Sequence, residues 1–226
     1  VAVLAENRAK LQFTASALRG STTGIMRAIQ QATPDMGNTL GTGADFYFSG
    51  PAEPLRQHGG ILFPYQPDIT YSVQASYNPY DLVHTNYTYY AYRNTPSPTI
   101  QLNTQFASVT QEEGEYTLGV LHFLRSITKM FFGLNERSNP MAGTPPPVLR
   151  FSAFGETQFN NLPVLVDNFS TTYDSNVDLK DVNGVQIPVI MNIFISLLVQ
   201  INPDKQKNEY STDAFIKGDM YRGGFI

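Results

Sequence analysis

The sequence contains no cysteine and no tryptophan. Without thiols there is no disulfide framework, no thiolate nucleophile and no cysteine metal site, a composition compatible with an intracellular origin. Charge is scarce as well: Asp, Glu, Lys and Arg make up 15% of 226 residues, well below the usual quarter. The formal net charge of -4 gives no basic footprint for gripping nucleic acid. Long apolar runs are also lacking. The longest, PVIMNIFISLLVQI, is interrupted by Asn192 and Ser196 and falls short of a membrane span, so no membrane insertion is expected. Val1 to Ala5 is too short an apolar run for a secretory leader.

What is abundant is aromatic and neutral. There are 13 Tyr and 15 Phe, and Asn, Gln, Ser and Thr supply much of the polarity. Such a mixture suits buried subunit contacts and β-sheets alike.

Along the chain, residues 1 to 31 read either as two short amphipathic helices broken at Gly20 and Gly24 or as a flexible arm. The Gly- and Pro-rich stretch 32–60 reads as a long loop, which in a compact domain implies a binding role. Strands follow. Ile69, Tyr71, Val73 and Ala75 alternate with polar residues; Val83 to Tyr92 is aromatic and Thr-containing; Ile100, Leu102 and Phe106 share one face opposite Gln101, Asn103 and Gln105. One long helix is predicted over 108–133, with a capping box at Thr110 and Glu113. Its apolar stripe is Tyr116, Val120, Leu121, Leu124, Ile127 and Phe131, widened by Phe123 and Met130, and Gly133 is the expected stop. So broad a stripe should lie against a sheet. VLRFSAFG and LPVLVDNFSTTY read as further strands. Between Val189 and Ile201 every odd residue is apolar and the even ones are mixed, the pattern of a central strand. The tail after Ile201 reads as a docked or trailing arm with aromatic anchors.

Chemistry is harder to find. His58, His84 and His122 fall on a loop, a strand and the helix, without ligand spacing, and His122 has Glu115 and Arg125 as helical neighbours. Asp174, Asp178 and Asp181 lack the glycine and terminal glutamate of a calcium loop and read as a solvated turn. Gly37, Gly41 and Gly43 lack the trailing Lys-Ser/Thr of a phosphate cradle. Glu112, Glu113 and Glu115 open a helix, where carboxylates favour the dipole. Asn86 and Asn168 match the glycosylation pattern. No catalytic, cofactor-binding or metal-binding residue is assigned.

Three segments carry a likeness: HFLRSITKMFFG (His122 to Gly133), GTPPPVLRFSAFG (Gly143 to Gly155) and LPVLVDNFSTTYDSNVD (Leu162 to Asp178). Together they resemble the baseplate tail-tube initiator or cap proteins of contractile-tailed bacteriophages, which share the fold of the tail tube protein. The likeness covers about residues 55–201. It leaves 1–54 as an N-terminal arm and long loop and 202–226 as a C-terminal arm. The fold it implies is mainly β (α+β): an antiparallel sandwich or barrel with one packed helix, lending strands to an oligomeric β-barrel.

By that resemblance, six copies form a ring around a channel. The regions Ile69–Ala75, Val83–Tyr92, Thr99–Val109 and Val189–Ile201 would supply the inner sheet. Arg125, Ile127, Lys129 and Phe131 would lie on an outer helix. The strands in PPPVLRFSAFG and LPVLVDNFSTTYD would form an outer layer, and loop 32–60 would reach a neighbour. Gln101, Asn103 and Gln105 would face a lumen through which DNA passes without specific binding. A tail tube or second initiator ring would sit on one face and the baseplate hub on the other, in a virion assembled in the host cytoplasm. The alternatives are the tail tube protein itself or the tube of a contractile injection system, a capsid or neck component, and an enzyme or binding module.

Overall fold

The computed structural model describes residues 8–13, 45–133, 142–155 and 158–226. Eleven strands are formed within them. They are β1 (Lys10–Gln12), β2 (Gly60–Leu62), β3 (Asp68–Ser72), β4 (Ser76–Tyr80), β5 (Tyr89–Asn94), β6 (Thr99–Ala107), β7 (Leu149–Ala153), β8 (Phe159–Thr172), β9 (Leu179–Val182), β10 (Val185–Pro188) and β11 (Ile190–Val199). The helices are α1 (Gln111–Ile127), α2 (Pro203–Glu209) and α3 (Thr212–Ile216), with 3-10 turns at Asp45–Phe48, Gly50–His58 and Tyr221–Gly223.

Seven strands form one antiparallel sheet in the order β2-β1-β7-β8-β11-β6-β3. Period-2 patterning sets its faces. Along β11, Met191, Ile193, Ile195, Leu197 and Val199 are buried while the residues between them are half-buried. On β6, Ile100, Leu102, Thr104 and Phe106 point inward, and Gln101, Asn103 and Gln105 are exposed. The edges curl toward the core: Tyr71 of β3 meets Phe159 of β8 at 6.0 Å between ring centroids, and Phe63 meets Phe106 at 6.4 Å.

Helix α1 covers the inner face. Its N-terminus is fixed by the expected capping box. Thr110 accepts a hydrogen bond from the Glu113 N–H, and the Glu113 carboxylate accepts one from the Thr110 N–H. Val120, Leu121, Phe123, Leu124 and Ile127 enter the core, and Phe123 stacks on Phe48 at 5.6 Å. Two glycines allow close approach. A Cβ on Gly114 would lie 2.5 Å from Val182 Cγ2, and one on Gly119 would lie 2.9 Å from the Pro51 carbonyl oxygen. The helix is thus wedged between the β9–β10 hairpin and the Gly50–His58 turn.

Several expectations need correction. The helix ends at Ile127, not at Gly133, so Met130 and Lys129 lie beyond it and are exposed. Val83–Tyr92 is not one strand. Only from Tyr89 onward is it extended, and it pairs with β4 rather than with the main sheet. Residues 45–60 are not a loop reaching outward: Phe48, Ala52 and Leu55 are fully buried in the core. Lys10–Gln12 is neither helix nor arm but a strand between β2 and β7. Of the strands assigned to inner and outer layers, β3, β6 and β11 of the inner group and β7 and β8 of the outer group lie side by side in one sheet, where β8 pairs with β7 on one side and β11 on the other. The rest of the 1–31 reading, the glycine-rich part of 32–44, and 134–141 fall outside the described residues. The C-terminal tail is docked: Phe225 is buried, Lys205 donates to the Gly223 carbonyl and lies 5.4 Å from the Phe225 ring, and Gly224 rests against Asn160, Asn161 and Pro163 of β8.

Candidate assembly surface

Backbone groups at a sheet margin need partners, and the margins of this sheet are treated unequally. At the β2 margin, Tyr116 of α1 places its hydroxyl against Leu62. It receives the Leu62 N–H at 2.8 Å and donates to the Leu62 carbonyl at 2.8 Å. One side chain thereby satisfies both backbone groups, and burial pushes the Tyr116 phenol up to about 12.

Among the described residues the other margins have no such plug. β3 pairs with β6 on one side only. β8 is longer than β7, which pairs with it between Phe159 and Val164; beyond that, residues 165–172 pair with β11 alone. A β-bulge opposite Ser196 and Leu197 marks the change, with Asp167 as the extra residue. Among the described residues, the ribbon β3-β6-β11-β8 therefore has unpaired backbone along both sides, at β3 and at residues 165–172 of β8.

The outer face of this ribbon carries little charge, with amides and hydroxyls beside the half-buried Phe194 and Leu198 of β11. Register places Asp68, Thr70 and Ser72 of β3 beside Asn103, Gln101 and Thr99 of β6. Asn192 and Ser196 of β11 stand beside Gln105 and Gln101, and Ser196 lies opposite Asn168 on β8. Gln105 donates from Nε2 to Asn192 Oδ1 at 3.4 Å. Asp68 is the one ionisable side chain among these positions, and Asp167 is exposed at the bulge beside Asn168.

Beyond β3 and β6 the same two chain segments continue as an arm, the β4–β5 hairpin. Tyr77, Tyr80, Tyr87, Tyr89, Tyr90 and Tyr92 are all more than half exposed. Opposed pairs share a face, so Tyr77, Pro79, Tyr90 and Tyr92 line one side and Tyr80 and Tyr89 the other. The tip is tied by Thr88 Oγ1 donating to Asp81 Oδ1 at 2.7 Å and Thr85 Oγ1 to the Leu82 carbonyl at 2.9 Å.

The titratable residues weighed from sequence have local roles. His58 ends a 3-10 turn and its carbonyl accepts from Gln12 Nε2; His84, at φ 62, sits in the arm tip; His122 is exposed on α1. They are not brought together. Asp181 accepts the Gly184 N–H at 2.9 Å in the tight Asn183–Gly184 turn of β9–β10, the solvated turn expected there. Glu115 accepts from Asn183 Nδ2 and Gln111 Nε2. Hydrogen bonds from the Thr110 backbone hold the Glu113 carboxyl below its ordinary range. Among the described residues no three His, Asp or Glu side chains gather in metal-binding range. Compared with known proteins, the chain matches no family model and no curated sequence.

Proposed function

We propose that the chain is a structural subunit, not an enzyme, whose copies close into a ring with a β-sheet wall. Its setting is the baseplate of a contractile phage tail. The ring would be a hexamer that starts or adapts tail tube assembly on the central hub. The observation that supports this reading is the four-strand ribbon β3-β6-β11-β8, whose two sides are unpaired among the described residues. Four is an even number, and all neighbours are antiparallel. Copies related by rotation about an axis along the strands therefore bring β3 of one antiparallel to β8 of the next. Pairing them leaves no open margin between copies.

The outer face of the ribbon fits a DNA channel. Lysines or arginines there would hold phosphates through counterion release, whereas amides and hydroxyls let a polymer slide. A tube or second ring would meet one rim and the hub the other, in a particle built in the host cytoplasm.

Amide hydrogen exchange tests the wall. On passing from dissociated chain to assembled particle, residues 68–72 and 165–172 gain strong protection together. Assemblies in which either strand exchanges as fast as in the free chain would remove the wall from consideration.

A further inference from the structure

We propose that Pro147, with Pro145 and Pro146 ahead of it, is a stop that keeps β7 from running on along β8, so that the β8 edge at residues 165–172 stays open for β3 of a second copy. The inference rests on the ring reading for its partner. Strand register locates the stop. β7 and β8 are antiparallel, and their pairing ends with Leu149 opposite Val164. Continued in that register, Val148 would stand opposite Leu165 and Pro147 opposite Val166. Backbone direction decides which of these pairs would carry hydrogen bonds. The Gln200 N–H donates to the Pro163 carbonyl at 2.9 Å, so the Pro163 backbone turns toward the β11 side. Successive residues of a strand turn their N–H and C=O to opposite sides. Val164 therefore turns toward β7, Leu165 toward β11, and Val166 toward the β7 side again. Position 147 is thus the next that would have to donate to β8, and proline has no N–H to give.

The residues before it reinforce the stop. Pro145 and Pro146 are exposed and Pro147 is half-buried. Consecutive prolines favour the polyproline helix, which has three residues per turn and cannot alternate faces as a pleated strand does. The segment is also held from behind. The Phe131 N–H donates to the Thr144 carbonyl at 3.0 Å, and the Gly143 N–H donates to the Phe131 carbonyl at 2.8 Å. The three prolines therefore bridge two fixed points, the chain just beyond α1 and the start of β7. The flanking side chains favour a longer strand: Val148 and Leu149 on one side, Leu165 and Val166 on the other, suit a pleated surface. The prolines oppose what their neighbours favour. Sheet edges are usually covered or blunted. Here the strand that would begin to cover the edge is cut short, which leaves the ladder from Val166 onward to a strand from outside. β3, Asp68–Ser72, has the antiparallel direction the wall needs, and none of its five residues is proline.

The dissociated chain tests the stop. Pro145→Thr, Pro146→Thr and Pro147→Thr together should slow amide exchange at residues 165–167, chiefly at Val166. The slowing expected is roughly tenfold against the parent, as one added hydrogen bond would give. Pro145→Thr alone keeps the barrier at position 147 and should exchange as the parent does. Under assembly conditions the triple variant should lose ring formation in sedimentation, because its own strand then occupies the edge. Exchange at 165–167 equal to the parent's in the triple variant would overturn the proposal, as would slowed exchange with undiminished assembly. The wall is judged separately, by protection of 68–72 in assemblies of the parent chain. Without that protection the wall falls, whereas the stop is read from the dissociated variant alone.

Discussion

At the scale of single residues, Tyr116 shows how much one hydroxyl can hold. It satisfies both backbone groups of Leu62 at a sheet margin. Tyr116→Phe leaves that N–H and C=O unpaired, and the expected loss is about 1–3 kcal/mol in urea unfolding. The phenol gives a second readout. Its pKa is raised from 10.0 to about 12 by burial, so the unfolded chain releases this proton near 10.0 while the folded chain keeps it. Stability is therefore full below 10.0 and falls as pH climbs toward 12. The Phe variant should show a shallower decline over that window, although the upward shifts of Tyr47 and Tyr71 remain. From the sequence Tyr116 reads as one more apolar stripe residue. Helical spacing gives the face but not the partner, because Leu62 lies 54 residues away.

At the scale of elements, the clearest expectations come from regular periodicity and local caps. The alternation in β6 and β11 and the Thr110–Glu113 box depend on neighbours within a few residues, and they appear where the sequence puts them. The Val83–Tyr92 reading fails because β-branched and aromatic content measures fitness for a pleated surface, not whether the chain turns. Here Thr85 and Thr88 spend their hydroxyls on closing the tip. The Gly50–His58 turn is hidden by composition. Pro51 and Pro54 signal loop, yet Pro at a helix start is tolerated, and the buried Ala52 and Leu55 make it a core element. Its contact with α1 supplies a prediction of unusual sign. By helix propensity Gly119→Ala should gain about 1 kcal/mol. The added methyl would instead press on the Pro51 carbonyl at 2.9 Å and Leu55 Cδ1 at 2.7 Å. A net loss of about 1–3 kcal/mol is expected by urea or thermal unfolding.

At the scale of the whole molecule, the sheet order is the part least legible in the sequence. β1 is three residues long, too short for any period, yet it joins β2 to β7. The paucity of charge is legible, and it now has a location: the outer face of the four-strand ribbon carries Asp68 and no Lys or Arg at its register positions. Thr70→Lys, Gln101→Lys and Asn103→Lys together would place three cations per copy on that face. Assembled rings of this variant should retain DNA with an affinity that drops steeply as salt rises, while parent rings retain none under the same conditions. Equal retention by the two would place that face away from the channel.

Asp167 gives β8 a change of parity. Ahead of it the even-numbered side chains, Leu162, Val164 and Val166, point inward; after it the odd-numbered Phe169 and Thr171 do. Deleting this one residue would join Val166 directly to Asn168 and restore strict alternation, with Val166 and Phe169 still inward and Asn168 and Ser170 still outward. A chain shortened by one at position 167 should therefore keep both faces of β8, because what the extra residue contributes is a local bend and added twist and not the side on which its neighbours lie.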